Sequence, residues 1–247
     1  MKKNILVFVI ALFFFNTFAQ DGKYVETNGV KIYYEEYGNG EPLLLIHCFM
    51  LSHKEWKPWI EILSKNYKVI TPDLRGHGYS TNPTDSFSTK LAAQDFYGLM
   101  DSLKINKFKA IGHSAGSISL LQMALMDTSR IEAMILIGAT NYFPDGFRAI
   151  CKNTHYETLS NDWRSVIEPH QPGGEEQIKK IVMQFRKFAD DYSDVNFSNS
   201  QLSTIKSKTL IIHGDRDAFF PIENPIYLYS SIPDSYLWIL TNVKINH

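Results

Sequence analysis

Apolar residues along this chain follow two rhythms, and the alternation between them predicts the architecture. Leu43-Leu44-Leu45-Ile46 is an unbroken apolar run, the pattern of a strand buried on both faces in a parallel sheet. Ahead of it, Tyr24 to Thr27 and Val30 to Tyr34 read as strands joined by Asn28-Gly29, a dipeptide suited to a tight hairpin turn. Trp56 to Leu63 then has helical spacing, Tyr67 to Thr71 reads as a strand, and Leu91 to Leu103 as a helix. Phe108 to Ile111 and Met134 to Ile137 are further short strands, with a helix from Ser114 to Met126 between them. Such alternation predicts an α/β fold, a mostly parallel central sheet with helices on both faces.

From Asn141 to about Ser203 the rhythm changes. Pro144, Pro169, Pro172, Gly173 and Gly174 break this stretch, no buried strand is visible, and Glu175 to Ala189 is its clearest helix. It reads as a helical cap inserted over the carboxyl ends of the strands. Tyr142, Phe143, Phe147, Trp163 and Phe185 are its candidates for a pocket wall, or for ordinary packing. The sheet resumes at Thr209 to Ile212, followed by a helix around Pro225 to Ser231 and a last strand, Tyr236 to Leu240.

The first residues read differently. Lys2 and Lys3 precede an apolar run from Ile5 to Phe15 and then Asn16-Thr17-Phe18-Ala19, the pattern of a cleavable secretory signal peptide over residues 1–19. The run is shorter than the roughly 20 residues that span a bilayer, so an uncleaved anchor is the weaker reading. Residues 20–247 are then expected as one domain, exported to a periplasmic or extracellular space with no membrane attachment. Loss of Lys2 and Lys3 takes the formal charge from −1 to −3, which calls for neither nucleic acid nor an anionic membrane as partner. Cys48 and Cys151 are too few for a disulfide scaffold and are both expected free. No Cys/His spacing suits a metal and no glycine-rich loop suits a nucleotide, so no cofactor is expected.

The chemistry concentrates in Gly112-His113-Ser114-Ala115-Gly116, between the Phe108 strand and the following helix. A serine hydroxyl is a poor nucleophile unless a base takes its proton and donors receive the oxyanion it creates. A sharp strand-to-helix turn lifts Ser114 above the sheet, and the helix start offers free N–H groups, that of Ala115 among them. By itself a five-residue pattern also fits a plain helix N-cap. The flanking strand and helix are the context that favours the nucleophile.

Four motifs in order, Leu43-Leu44-Leu45-Ile46-His47-Cys48-Phe49, Pro72 to Ser80, Gly112 to Gly116 and Ile211 to Asp217, make the chain resemble the α/β-hydrolases, specifically single-domain members with a helical cap and a serine nucleophile. The resemblance runs from Gly22 to Leu240. It implies Ser114 as nucleophile and Asp217 as the acid that orients the base, with Asp215 the nearest competitor and better suited to supporting the turn. Asp73, Arg75, Gly76 and Gly78 fall where the family braces a loop beside the site. Serine separates the chain from epoxide hydrolases and haloalkane dehalogenases of the same fold, which attack with aspartate.

Two departures stand out. The family's His-Gly at the strand end is His47-Cys48 here, so Phe49 is expected to give the second oxyanion N–H. A Cβ at position 48 is costly at any positive φ and narrows the approach to the hole. The family's catalytic histidine follows a glycine and precedes a closing helix; here His247, the one histidine after Asp217, ends the chain without either. Chain order nominates His247 as base, and its reading as the last residue of a truncated chain stays open. The expected activity is hydrolysis of an ester-like bond in a small, largely apolar substrate through an acyl-serine. The alternatives are an impaired hydrolase fold that binds a small ligand, or carbon–carbon bond, lactone or peptide hydrolysis by the same nucleophile.

Overall fold

The structure is a computed structural model that describes residues 22–244. The predicted signal peptide and His247 lie outside the described residues. β1 (Lys23–Thr27) and β2 (Val30–Tyr37) form the hairpin at Asn28-Gly29, whose φ angles of 46° and 74° are both left-handed, as the tight turn between twisted strands requires. β3 (Glu41–Ile46), β4 (Tyr67–Pro72), β5 (Phe108–His113), β6 (Ile131–Ile137), β7 (Lys208–Gly214) and β8 (Ser235–Leu240) complete one sheet in the order β1-β2-β4-β3-β5-β6-β7-β8. β2 runs antiparallel to β4, and every pairing from β4 to β8 is parallel.

The apolar run of β3 sits at the centre and splits by the two-residue period of a strand. Leu44 and Ile46 enter a large cluster with Phe96, Met100 and Leu120, from α2 (Thr89–Ser102) and α3 (Ala115–Met126). Leu43 and Leu45 enter a smaller one with Trp56, Ile60 and Leu63, the last two from α1 (Lys57–Leu63). The sheet is therefore covered on both faces, as expected. The α1 side is thinner towards β8: Ile111 and Ile137 are only partly buried there, and Tyr236 and Trp238 on β8 are 55% and 57% exposed.

Between β6 and β7 the chain forms α4 (Asp145–Asn153), α5 (Asn161–Ile167), α6 (Gly174–Lys187) and the single turn α7 (Asn199–Leu202), with no strand of the sheet. Its ends are tied together where Phe197 N–H donates to the Asn141 carbonyl at 2.8 Å. The buried Arg148 guanidinium gathers the carbonyls of Phe143, Phe188, Ala189 and Asp191. Gln171, also buried, donates to the Met50 carbonyl at 2.7 Å and accepts from Gly78 N–H at 2.9 Å, fastening this segment to the loops at the strand ends. α8 (Glu223–Ser231) leads into β8.

The loop after β4 is braced as expected. Asp73 is fully buried and accepts from His53 N–H (2.6 Å), the His53 ring (2.8 Å) and Tyr79 N–H (2.8 Å). A Cβ on Gly78, at φ 51°, would come within 2.1 Å of that carboxylate. Arg75 forms a buried two-pronged pair with Asp95, both bonds at 2.7 Å. His77 is fully buried against the Phe49 and Phe87 rings, and burial lowers its pKa to about 4.

That depression gives a pH prediction. The unfolded chain binds the His77 proton near pH 6.5 and the folded chain only near 4, so between these values the unfolded state holds more protons and acid favours it. About 3 kcal/mol of stability present above pH 6.5 should be lost as pH falls to 4. Urea unfolding of His77→Gln, compared with wild type over this range, should show a flatter decline with pH; parallel curves would refute the assignment.

Candidate active site

The turn from β5 into α3 is tightly confined. Ser114 has φ 51° and ψ −114°, a conformation that costs a residue bearing Cβ roughly 1–3 kcal/mol and persists only where the surroundings impose it. They do so closely here. A Cβ on Gly112 would lie 2.5 Å from the Gly116 carbonyl carbon, and one on Gly116 would lie 2.2 Å from the Ile46 carbonyl oxygen. Ser114 N–H donates to the Ile137 carbonyl at 2.8 Å, and the Ser117 hydroxyl donates to the Gly112 carbonyl at 2.6 Å. The bend therefore ties together β3, β5 and β6. Ala115 opens α3, so its N–H and the positive end of the helix dipole sit beside the Ser114 hydroxyl.

The end of β3 departs from the expectation. Cys48 does not take a positive φ; the left-handed residue is Met50, at φ 67°, so the backbone cost anticipated at position 48 does not arise. The side chain is what matters. The Cys48 thiol is buried beside the Ser114 hydroxyl and Phe49 N–H, and burial together with the Glu55 and Asp217 charges pushes its pKa well up. The N–H expected to receive an oxyanion thus faces a neutral sulfur at rest. His47 is committed to the same loop: Nδ1 lies 2.6 Å from the Cys48 carbonyl and Nε2 accepts from Leu74 N–H at 2.9 Å, a neutral ring that burial holds well below the usual histidine range.

Glu55 is a site residue that motif reading passed over. One carboxylate oxygen accepts from Cys48 N–H at 2.8 Å and the other pairs with His113 Nδ1, so a single side chain joins the end of β3 to the residue before Ser114. It stands on the one-turn 3-10 helix His53–Trp56, outside any motif, and the only sequence cue is a carboxylate seven residues beyond the strand-end cysteine.

Asp217 follows β7. Its side chain is buried, its Oδ1 accepts from Phe219 N–H (2.8 Å) and Phe220 N–H (3.0 Å), and its Oδ2 lies 3.8 Å from His213 Nε2. It is near enough to Cys48 for its charge to act on the thiol. Asp215 is exposed and accepts from Val243 N–H at 3.3 Å, bracing the turn after β8. The histidines within the described residues have ring nitrogens engaged elsewhere: His53 with Asp73, His77 with the Arg75 carbonyl, His113 with Glu55, His155 with Arg186, His170 with Ser52 and His213 with the Phe220 carbonyl.

Above Ser114 lies a narrow pocket of about 20 Å³, walled by Phe143, Phe147, Trp163, Phe185, Phe188 and Phe220 and floored by Cys48, Phe49 and Ala115. Of the wall candidates from the sequence, Tyr142 is not part of it and is 45% exposed. None of the lining side chains is charged. Among the described residues no cluster of His, Cys, Asp or Glu could hold a metal, no helix is long and apolar enough to cross a membrane, and Cys48 and Cys151 are free and buried.

The model of the alpha/beta hydrolase fold family matches residues 41–178, and the chain belongs to that family. It is 24% identical to 2-hydroxy-6-oxo-2,4-heptadienoate hydrolase of Pseudomonas putida over 91% of this chain and 89% of that protein. It is 28% identical to the human serine hydrolase BPHL over 90% and 79%, and 26% identical to a non-heme chloroperoxidase of Kitasatospora aureofaciens over 79% and 81%. A solved meta-cleavage product hydrolase of Pseudomonas fluorescens superimposes with a TM-score of 0.75 at 25% identity, covering 90% of each chain. The chain is accordingly an enzyme of the α/β-hydrolase type.

The Glu55 bridge carries its own prediction. In Glu55→Ala the Cys48 amide and the His113 ring lose their common anchor, and turnover of an ester substrate should fall about 10–100-fold with KM little changed. Glu55→Gln, which keeps an acceptor for the amide, should recover part of the loss. Equal losses in kcat and in thermal stability across both variants would make Glu55 a fold residue only.

Proposed function

We propose that this enzyme is a serine hydrolase that cleaves an ester-like bond of a small, largely apolar substrate through an acyl-serine. The observation that carries the reading is Ser114 held at a strained strand-to-helix bend, beneath a pocket whose lining side chains bear no charge. The Ser114 oxygen attacks the carbonyl carbon while a base takes its proton; Ala115 N–H and Phe49 N–H receive the negative charge on the carbonyl oxygen. The alcohol leaves with the proton from the base, and water repeats the cycle to release the acid. Asp217, fixed by two backbone amides, is suited to orient the base and to balance its positive form. Chain order nominates His247 as that base. The Cys48 sulfur lies beside Phe49 N–H, so an oxyanion must compete with it for that donor. Losing one oxyanion donor typically costs about 10²–10³ in turnover.

The relatives named for carbon–carbon bond hydrolysis are the main alternative for the reaction. An uncharged chamber offers no partner for an ionised substrate group, which favours neutral esters. The Cys48 thiol beside Ser114 favours a second reading, an impaired hydrolase fold that binds a small apolar ligand. A fluorophosphonate probe and p-nitrophenyl butyrate separate them. Wild type should be labelled at Ser114 and hydrolyse the ester. Ser114→Ala and His247→Ala should each lose at least about 10³-fold in kcat. Unchanged hydrolysis in Ser114→Ala removes this nucleophile, full activity in His247→Ala places the base elsewhere, and ligand binding without labelling supports the binding protein.

The leader pattern extends the proposal to export. The secreted or periplasmic protein should begin at Gln20 by N-terminal sequencing, whereas recovery of the intact leader in the cytoplasm would count against it.

A further inference from the structure

Two cavities meet at one pair of side chains. The chamber above Ser114 and an outer groove lined by Ile150, Thr158 and Leu159 have Trp163 and Phe185 as their common wall. The two wall residues are held differently. Phe185 is 5% exposed, and its ring meets those of Phe49, Phe147 and Phe188 at centroid distances of 5.8, 5.7 and 6.1 Å. Removing it would leave a void inside the aromatic core. Trp163 is 37% exposed and stands on the seven-residue α5, whose buried residue is Ile167. Its backbone N–H is held by the Ser160 hydroxyl at 3.2 Å, so the start of the helix does not depend on the indole. Of the two, Trp163 is the side chain that can be removed without dismantling the core.

We propose that Trp163 sets the length of acyl group the enzyme accepts: its indole ends the chamber, so the substrates are esters of short, neutral, apolar acids. This rests on the acyl-transfer reading of Ser114. During turnover the alcohol leaves and water enters, while the acyl group stays bonded to Ser114. The aromatic end of the chamber therefore suits the group that stays. A carboxylate on that group would be stripped of water with no charged partner among the lining residues. Past the indole lie Asn153, Thr158 and Ser160, which a longer chain would reach only with the partition removed.

The full-length protein, Trp163→Ala and Trp163→Phe are compared on p-nitrophenyl acetate, butyrate, octanoate and decanoate. In wild type, kcat/KM should fall at least about tenfold from butyrate to decanoate. Trp163→Ala should raise the decanoate-to-butyrate ratio by at least about tenfold, the equivalent of newly burying about two methylenes. Trp163→Phe, which keeps an aromatic partition, should shift the ratio less. The same ratio in wild type and in a folded Trp163→Ala overturns the proposal. Calorimetry of butyrate and decanoate esters binding to Ser114→Ala, with and without Trp163→Ala, separates the partition from the chemistry. If no protein hydrolyses any ester, yet the double variant binds decanoate at least about tenfold more tightly than Ser114→Ala, the partition stands and the acyl-transfer reading falls. No such gain overturns the partition as well.

Discussion

The compressed backbone at Ser114 is the constraint on which the rest of this molecule depends. A residue with a side chain adopts φ 51° and ψ −114° only when neighbouring structure leaves it no alternative. Here the neighbours are the central strands. Gly116 lies so close to the Ile46 carbonyl that no side chain fits between them, and the Ser114 amide is pinned by the Ile137 carbonyl at the end of β6. The parallel sheet, the apolar run of β3 and the buried helix α3 all serve to keep that bend from relaxing. In return the bend aims one hydroxyl out of the strand ends, towards the amides at the start of α3.

Polar ties then convert a bend into a site. Glu55 couples the amide of Cys48 to the ring of His113, so the strand end that lines one side of Ser114 and the residue preceding it move as one piece. Gln171 links the helical segment above to the same strand-end loops, and Asp73 locks the loop after β4 beneath it. Cys48 closes the strand end, its neutral thiol buried beside Phe49 N–H and the Ser114 hydroxyl.

What was legible in the sequence was whatever depends on local pattern. Leu43 to Ile46 announced a central strand because a strand covered on both faces must be apolar on both. Asn28-Gly29 announced the hairpin because few residues tolerate two left-handed angles in succession. The elbow was visible because glycine is the residue that lets strand and helix approach so closely. Other features depend on contacts between distant residues and leave no such trace. Glu55 stands far from His113 in the chain, and nothing in its surroundings marks it. The strain expected at Cys48 falls at Met50, since the course of the loop decides which residue turns left-handed. Tyr142 and Phe143 are adjacent aromatics, yet only Phe143 faces the chamber, a distinction set by the short bridge between Tyr142 and Asn196.

The sheet is unevenly clothed. α1 covers the side of β3 and β4 on which Leu43, Leu45 and Val69 lie, but towards β8 that side thins out, leaving Tyr236 and Trp238 more than half open to water. Strands buried on one side draw less hydrophobic stabilisation than strands buried on two, so β7 and β8 are held less firmly than the central strands β3 and β5. The turn carrying Asp217 grows from β7. Ser114 is thus rooted in the most deeply covered strands and Asp217 in a more thinly covered pair, so heat would loosen the Asp217 turn before it released the bend at Ser114.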